Sequence, residues 1–275
     1  MHSGTIGFIG GGNMAVSLIG GLIADGTPAS QIWASAPSEA TRLRLKECFG
    51  ITVTANNSEL AAHCNVVLLA VKPQKMHEVC TEIAAAVRSA KPLVVSIAAG
   101  VRTADIERWL GGDIALIRTM PNTPALVQCG ATALYATPRV SNTQRESAET
   151  IMRAVGLTLW LESEHLMDAV TALSGSGPAY FFLVLEALEE AGVKLGLPAE
   201  IARLLALQTA FGAAKMALES PEDCATLRKR VTSPGGTTER AIGILEQGEL
   251  RGLFAAALAG ARDRARELAD QFGKL

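Results

Sequence analysis

The sequence predicts a doubly wound, mostly parallel α/β sheet in the N-terminal part of the chain, followed by an all-α segment. Three observations carry this. Up to about residue 161, short β-branched runs alternate with amphipathic stretches, the pattern of repeated strand–helix units. Several strand candidates are apolar at every position, as strands covered by helices on both faces are. Past Glu162 the β signal stops, and Ala, Leu and Glu dominate.

In chain order the strand candidates are Thr5 to Ile9, Gln31 to Ala34, Val66 to Val71, Leu93 to Ile97, Ile114 to Arg118, Ala131 to Tyr135 and Thr158 to Leu161. Amphipathic helices lie between them, among them Met14 to Ala24, Ser38 to Cys48 and Gln74 to Val87. In the second part Pro178 to Leu195, Pro198 to Leu218, Thr238 to Glu246 and Leu250 to Phe272 read as helices. Glycine and proline punctuate them at Gly175–Pro178, Gly196–Pro198, Ser220–Pro221 and Ser233–Gly236. The boundary is placed near residue 163, giving domains 1–163 and 164–275 with no low-complexity linker.

A chain of 275 residues is long enough for two such domains, each with a core. Lys and Arg number 25 against 27 Asp and Glu, without a basic stripe, which argues against nucleic acid or an anionic membrane as partner. The five cysteines, Cys48, Cys64, Cys80, Cys129 and Cys224, are scattered, with no metal-binding spacing. They are expected to be buried, reduced thiols of a cytoplasmic protein. Met1 to Ser3 run almost directly into the first strand, leaving no room for a signal peptide. Apolar stretches such as Ala179 to Leu188 are too short and interrupted to cross a bilayer.

The first sign of chemistry is Gly7-Phe-Ile-Gly10-Gly11-Gly12-Asn13-Met14-Ala15. It follows a predicted strand and opens an apolar helix, the setting that makes a glycine-rich turn a dinucleotide (Rossmann) fingerprint. Gly10 permits the tight turn, Gly12 lets the backbone approach a pyrophosphate, and Ala15 allows close helix–strand packing. The phosphates then sit on unpaired N–H groups at the helix N-terminus. Glycines with a turn role alone are the competing account, and the strand context disfavours it. An acid normally stands about twenty residues further on to bind the ribose 2′-hydroxyl of NAD. Here the second strand ends in Ala34-Ser35-Ala36-Pro37-Ser38, without one. NADPH is therefore favoured, with NADH possible.

Two further loops follow strands whose C-terminal ends form the ligand side of an open α/β sheet: Ala70-Val71-Lys72-Pro73 and Ser96-Ile97-Ala98-Ala99-Gly100. In Met120-Pro121-Asn122-Thr123-Pro124, two prolines stiffen a loop in which Asn122 and Thr123 are expected to face the nicotinamide. In the helical part, Ser174-Gly-Ser-Gly-Pro-Ala-Tyr180 reads best as a cap, with Ser176 before Pro178. Val231-Thr-Ser-Pro-Gly-Gly-Thr-Thr238 also leads into a helix, but capping does not require Gly235-Gly236 beside Thr237-Thr238. An anion site at that helix start is expected. The four histidines, His2, His63, His77 and His165, form no acid–base centre, so packing or surface roles are expected.

Together these segments closely resemble the pyrroline-5-carboxylate reductase family. The resemblance covers nearly the whole chain: Gly7 to Ala15, Ala70 to Pro73, Ser96 to Gly100, Met120 to Pro124, Asp168 to Tyr180 and, most specifically, Val231 to Thr238. It implies NADPH-linked reduction of the cyclic imine to L-proline, at a site between the Rossmann domain and an interlocked helical dimer domain. It further implies that Ile9, Gly10, Gly11, Gly12, Asn13 and Met14 contact the pyrophosphate, with Asn57, Val71, Lys72, Ile97, Ala98 and Ala99 on the rest of the cofactor. Val231, Ser233, Gly235, Gly236, Thr237 and Thr238, with Glu164 nearby, hold the substrate. Family members often carry a hydroxyl where this chain has Ala36, between Ser35 and Ser38.

The chemistry fits a site without histidine. A protonated imine takes hydride directly at carbon, so the protein need only align the reactants and place a hydroxyl on the nitrogen. Thr238 is the candidate for that hydroxyl, and the N–H groups of Gly235, Gly236 and Thr237 for the carboxylate. No metal is expected. The Pro198 to Leu218 helix is apolar nearly all round, with Ile201, Leu204, Leu205, Phe211 and Leu218 on one side and a run of alanines on the other. Such a helix must be buried on all sides, which predicts a homodimer or larger homo-oligomer built through residues 164–275. The rival enzyme class, β-hydroxyacid dehydrogenases, uses a helical Lys with an Asn four residues on, and neither Lys194 nor Lys215 has one. A non-catalytic NADP-sensing module is disfavoured by the complete loop at 231–238.

Overall fold

A computed structural model describes residues 4–275. The chain divides into two compact units. The first comprises residues 4–176 together with Ala261–Leu275, and the second is Gly177–Gly260.

The first unit holds β1 (Ile6–Ile9), α1 (Asn13–Ala24), β2 (Ile32–Ser35), α2 (Glu39–Phe49), β3 (Thr52–Thr54), α3 (Asn57–His63), β4 (Val66–Leu69), α4 (Met76–Ala90), β5 (Leu93–Ser96), α5 (Thr103–Leu110), β6 (Leu116–Met120), β7 (Gly130–Ala136), α6 (Asn142–Arg153), β8 (Gly156–Trp160) and α7 (Met167–Val170). A π-helical turn, Thr171–Gly175, follows α7. The second unit contains α8 (Gly177–Lys194), α9 (Ala199–Glu219), α10 (Cys224–Arg230) and α11 (Thr237–Gln247). The last helix, α12 (Leu250–Phe272), begins in the second unit and ends in the first.

The eight strands form one sheet in the order β3-β2-β1-β4-β5-β6-β7-β8. Neighbours from β3 to β6 are parallel, β7 is antiparallel to β6, and β8 is parallel to β7. β1 and β4 are buried at all four positions, matching their unbroken apolar sequences. One apolar core includes Leu18, Ile19 and Leu22 of α1 with Ala148, Ile151 and Met152 of α6. The other includes Leu60 of α3, Ile83 and Val87 of α4 and Ile106 of α5. With a core on each face the sheet is doubly wound, as expected.

The differences from the sequence reading are local. β3 was not among the expected strands: its three residues, Thr-Val-Thr, give no apolar run. α10 was likewise missed, being seven residues long and largely polar; Asp223 caps it by accepting from the Thr226 N–H at 2.7 Å. The boundary expected near residue 163 falls later by contacts, because Glu164 and the π turn are bonded into the first unit. The end of α12 returns there too, with Arg102 paired to Asp270 at 2.6 Å and Arg108 donating to the Gly273 carbonyl at 2.7 Å.

In the second unit only Gly177 and Ala202 are buried. Leu204 is 60% exposed, Phe211 62% and Leu218 83%, while Phe181 and Phe182 of α8 are also exposed. Four helices with their apolar side chains facing water need a further layer to cover them. Among the described residues α9 is the one helix long and apolar enough to cross a membrane, which the sequence reading passed over. Its length and composition are equally those of a helix buried between subunits.

Candidate active site

Gly10 ends β1 in a left-handed backbone conformation, φ 109°, and a Cβ there would lie 2.4 Å from the Ala70 carbonyl oxygen. Only glycine allows this turn, which the Gly10 N–H fixes by donating to the Ser35 carbonyl at 2.9 Å. Gly12 is the N-cap of α1, without a side-chain cap, and the first turn carries no acid. Nothing lies within 4 Å of a Cβ built on Gly12. The first N–H groups of α1, from Asn13 on, thus open onto free space at the positive end of the helix, which fits a pyrophosphate.

The loops after β4 and β5 lie beside this turn at the C-terminal edge of the sheet. Val71 packs near Gly10, with Lys72 exposed and Pro73 in the first turn of a short 3₁₀ helix. The Ile97 N–H donates to the Leu69 carbonyl, and Ala98 is buried beside half-buried Ile97 and Ala99. Ser35 is fully buried, and its hydroxyl donates to Asn57 Oδ1 at 2.7 Å. Asn57 in turn donates to Glu82 at 2.8 Å. Ser35 thus holds the Gly10 turn through its carbonyl and Asn57 through its hydroxyl.

Sequence reasoning missed two arginines of α2. Arg42 Nη1 donates to the Ala36 and Pro37 carbonyls at 2.7 and 2.8 Å, and Arg44 Nη2 to the Gly11 carbonyl at 3.1 Å. Arg42 places a guanidinium at the tip of β2, where a 2′-phosphate is accommodated in such folds. The available signal was a pair of arginines one turn into the helix after an acid-free strand end.

Asn122 is held from both sides. Its Oδ1 accepts from the Ala131 N–H at 2.9 Å, and its Nδ2 donates to the Ser174 carbonyl and hydroxyl, both at 3.2 Å. The carboxamide is engaged by the Ala131 N–H and by the carbonyl and hydroxyl of Ser174. Ser174 lies in the π turn, and the chain passes from α7 through that turn into α8, so Ser176 is no cap at a clean helix start.

Glu164 has both carboxylate oxygens occupied. Oε1 accepts from Arg118 Nη1 and the Thr103 N–H, each at 2.8 Å, and Oε2 from the Thr103 hydroxyl at 2.6 Å. It serves as side-chain cap of α5 and counter-ion of a buried arginine, which leaves little of it for a substrate.

At the loop expected to bind the carboxylate, Gly236 is the N-cap of α11 with no side-chain cap, and Gly235 has φ 71°. The Gly235 N–H donates to Glu239 Oε2 at 2.7 Å and the Gly236 N–H to the Ser233 carbonyl at 3.0 Å. Two of the three N–H groups assigned to a carboxylate are thus taken, because Glu239 folds back on the loop. The open donors are the N–H groups of Thr237 and Thr238, in the first turn of α11. Thr238 is half-buried, while Val231 and Ser233 are exposed.

The described histidines take packing and surface roles: His63 stacks on Trp33, His77 meets the edge of Trp109, and His165 pairs with the Ser163 hydroxyl. His2 lies outside the described residues. Cys64 and Cys80 are buried, but Cys48, Cys129 and Cys224 are exposed, contrary to expectation. No group of metal-binding side chains exists among the described residues.

Comparison with known proteins decides the family. The pyrroline-5-carboxylate reductase of Pseudomonas aeruginosa is 51% identical over 274 residues, spanning all of both chains. The chain belongs to the pyrroline-5-carboxylate reductase family. The family's dimerisation model matches residues 164–268, and a model for coenzyme F420-dependent NADP oxidoreductases matches residues 5–100. The solved structure of a pyrroline-5-carboxylate reductase from Coxiella burnetii superposes with a TM-score of 0.94 at 48% identity, covering 98% of this chain and 99% of that one. The Plasmodium falciparum enzyme, solved with NADP bound, gives 0.86 at 29% identity over the same shares. The Rossmann fold and the family resemblance read from the sequence both hold.

Proposed function

We propose that the chain reduces 1-pyrroline-5-carboxylate to L-proline with NAD(P)H, acting on the C=N bond. Family membership supports this, and the observation that carries it in the structure is the start of α11. There an uncapped helix N-terminus offers the Thr237 and Thr238 N–H groups beside a free threonine hydroxyl, with no titrating acid–base pair. Those N–H groups bind the substrate carboxylate, with Val231, Ser233 and the Gly235–Gly236 turn shaping the loop around it. The Thr238 hydroxyl bonds the ring nitrogen. Bound NAD(P)H supplies the hydride. The chain's own part is to hold the cofactor on Gly10, Gly11, Gly12, Asn13 and Met14, flanked by Ile9, Ala70 to Pro73 and Ile97 to Ala99, and to keep the imine in line.

Within that reading NADPH is preferred, because the tip of β2 carries Arg42 and no acid. The protein works as a homodimer or larger homo-oligomer in the cytoplasm, and the exposed apolar faces of α8 and α9 with the matched dimerisation segment support the assembly. Oxidation of NADPH, followed by its absorbance with and without the imine, tests the proposal. Imine-dependent oxidation with proline as product is expected. Its absence, with turnover on a β-hydroxyacid instead, would overturn the proposal.

A further inference from the structure

In an open α/β sheet a dinucleotide lies across the C-terminal ends of the strands, and its nicotinamide end reaches beyond β4 towards β5 and β6. β6 ends at Met120, and the loop leaving it begins Pro121-Asn122. Two contacts join this point to the π turn. Met120 lies so close to Gly175 that a Cβ there would stand 2.4 Å from the methionine methyl. Asn122 bonds Ser174 through Nδ2 and the first residues of β7 through Oδ1. The amide has only one sensible orientation, since Ala131 presents a donor and the Ser174 carbonyl an acceptor.

The turn held in this way is a π-helical one. The Ser176 N–H reaches back to the Thr171 carbonyl at 2.8 Å, and the Thr171 hydroxyl donates to the Met167 carbonyl at 2.8 Å. Such a widened turn within an otherwise α-helical run is a common device at functional sites. Here the turn is contacted by Met120 at the C-terminal end of β6 and by Asn122 in the loop after it.

We propose that Asn122 is a positioning residue for hydride transfer: by clamping the π turn Thr171–Gly175 to the ends of β6 and β7, it fixes the wall against which the nicotinamide and imine align. The proposal rests on the reading of the chain as an imine reductase. It assigns Asn122 no contact with cofactor or substrate. Alignment is steep in its effect, since a displacement of about 1 Å costs on the order of a hundredfold in rate.

Two substitutions test it in the full-length oligomer. Asn122→Ala removes both ends of the clamp. Asn122→Asp keeps the acceptor for Ala131, but above its titration presents an anion to the Ser174 carbonyl, with only the Ser174 hydroxyl able to turn and donate to it. Once protonated, the Asp carboxyl again donates to Ser174 while accepting from Ala131, and the residues hydrogen-bonded to this position, Ala125, Ala131 and Ser174, carry no ionisable side chain. At pH 8 both variants should lose roughly ten- to a hundredfold in kcat, with NADPH Kd within about threefold of the parent. Facing the Ser174 carbonyl disfavours the anion and raises the titration of the Asp carboxyl, so from pH 8 towards pH 5 the Asp variant should regain part of its turnover relative to the parent, and the Ala variant should not. Hydrogen exchange, an independent readout, should speed up at Ala131 and across 171–176 in Asn122→Ala. Turnover within about threefold of the parent in both variants, even with a lowered Tm, would overturn the proposal, as would identical pH courses for the two. A parent chain inactive on the imine would instead remove the functional reading on which the proposal rests, and the two failures are distinct.

Discussion

Arg118, at the middle of β6, and Glu164, just beyond β8, form an ion pair at 2.8 Å in which the arginine side chain is 4% exposed. The same carboxylate receives the N–H and hydroxyl of Thr103 at the start of α5. One side chain therefore neutralises a buried guanidinium, caps a helix and ties residues 164–176 into the first unit. Removing one partner of such a pair leaves the other charged and unpaired, which costs about 3 kcal/mol. Glu164→Ala should lower the melting temperature by several degrees, read by calorimetry, while KM for the imine changes less than threefold at 25 °C. A tenfold rise in KM with an unchanged melting point would restore direct substrate binding to Glu164.

Arg42 gives a prediction on cofactor choice. With Nη1 spent on the Ala36 and Pro37 carbonyls, its remaining donors stay with the tip of β2. A charge-assisted bond to a 2′-phosphate is worth roughly 1.5–3 kcal/mol. Arg42→Ala should weaken NADPH binding by about tenfold or more and leave NADH within about threefold, as measured by fluorescence titration. Equal losses for both cofactors would mean that Arg42 only braces the loop.

The sheet was legible because its central strands are apolar runs punctuated by glycine and by amphipathic helices, and burial on both faces imposes that composition. β3 was not legible, since an edge strand of Thr-Val-Thr needs no such run. At the site, the backbone elements were readable and the side-chain partners were not. Gly10 and Gly12 follow from what a turn and a phosphate demand of the main chain. That Asn122 turns to Ser174, Glu164 to Arg118 and Glu239 to Gly235 depends on contacts between segments 52, 46 and 4 residues apart. No local spacing encodes the first two, and the third competes with the anion site proposed for the same N–H groups.

Burial of Cys64 and Cys80 pushes each thiol up to about 12. At pH 8 roughly one part in ten thousand of either is thiolate, the form that reacts. Both should resist alkylation in the native protein and react fully once it is unfolded, as mass spectrometry of the labelled peptides would register. The unfolded chain releases these protons near the ordinary thiol value of 9.0 while the native protein holds them to about 12, so stability should fall progressively as the pH rises from about 9 to about 12. Rapid labelling of either cysteine under native conditions at pH 8 would show that this side of the sheet opens.

Thr238 separates catalysis from capping. The N-cap of α11 is Gly236, so Thr238 is the second residue of the helix, with no capping bond of its own. Its hydroxyl is proposed to hydrogen-bond the imine nitrogen, where charge changes as hydride arrives. Losing one such donor costs on the order of 2 to 4 kcal/mol when the bond matters chiefly in the transition state. Thr238→Ala should therefore lower turnover by roughly ten- to several hundredfold and leave NADPH affinity nearly unchanged. Thr237→Ala should do less, because the N–H group assigned to the carboxylate survives that change. The melting temperature should barely move in either variant, since neither hydroxyl satisfies a helix end. A cap, by contrast, would forfeit about 1 kcal/mol of stability on removal. Near-normal turnover in Thr238→Ala would remove the hydroxyl from the chemistry and leave the first-turn N–H groups of α11 as that loop's whole contribution.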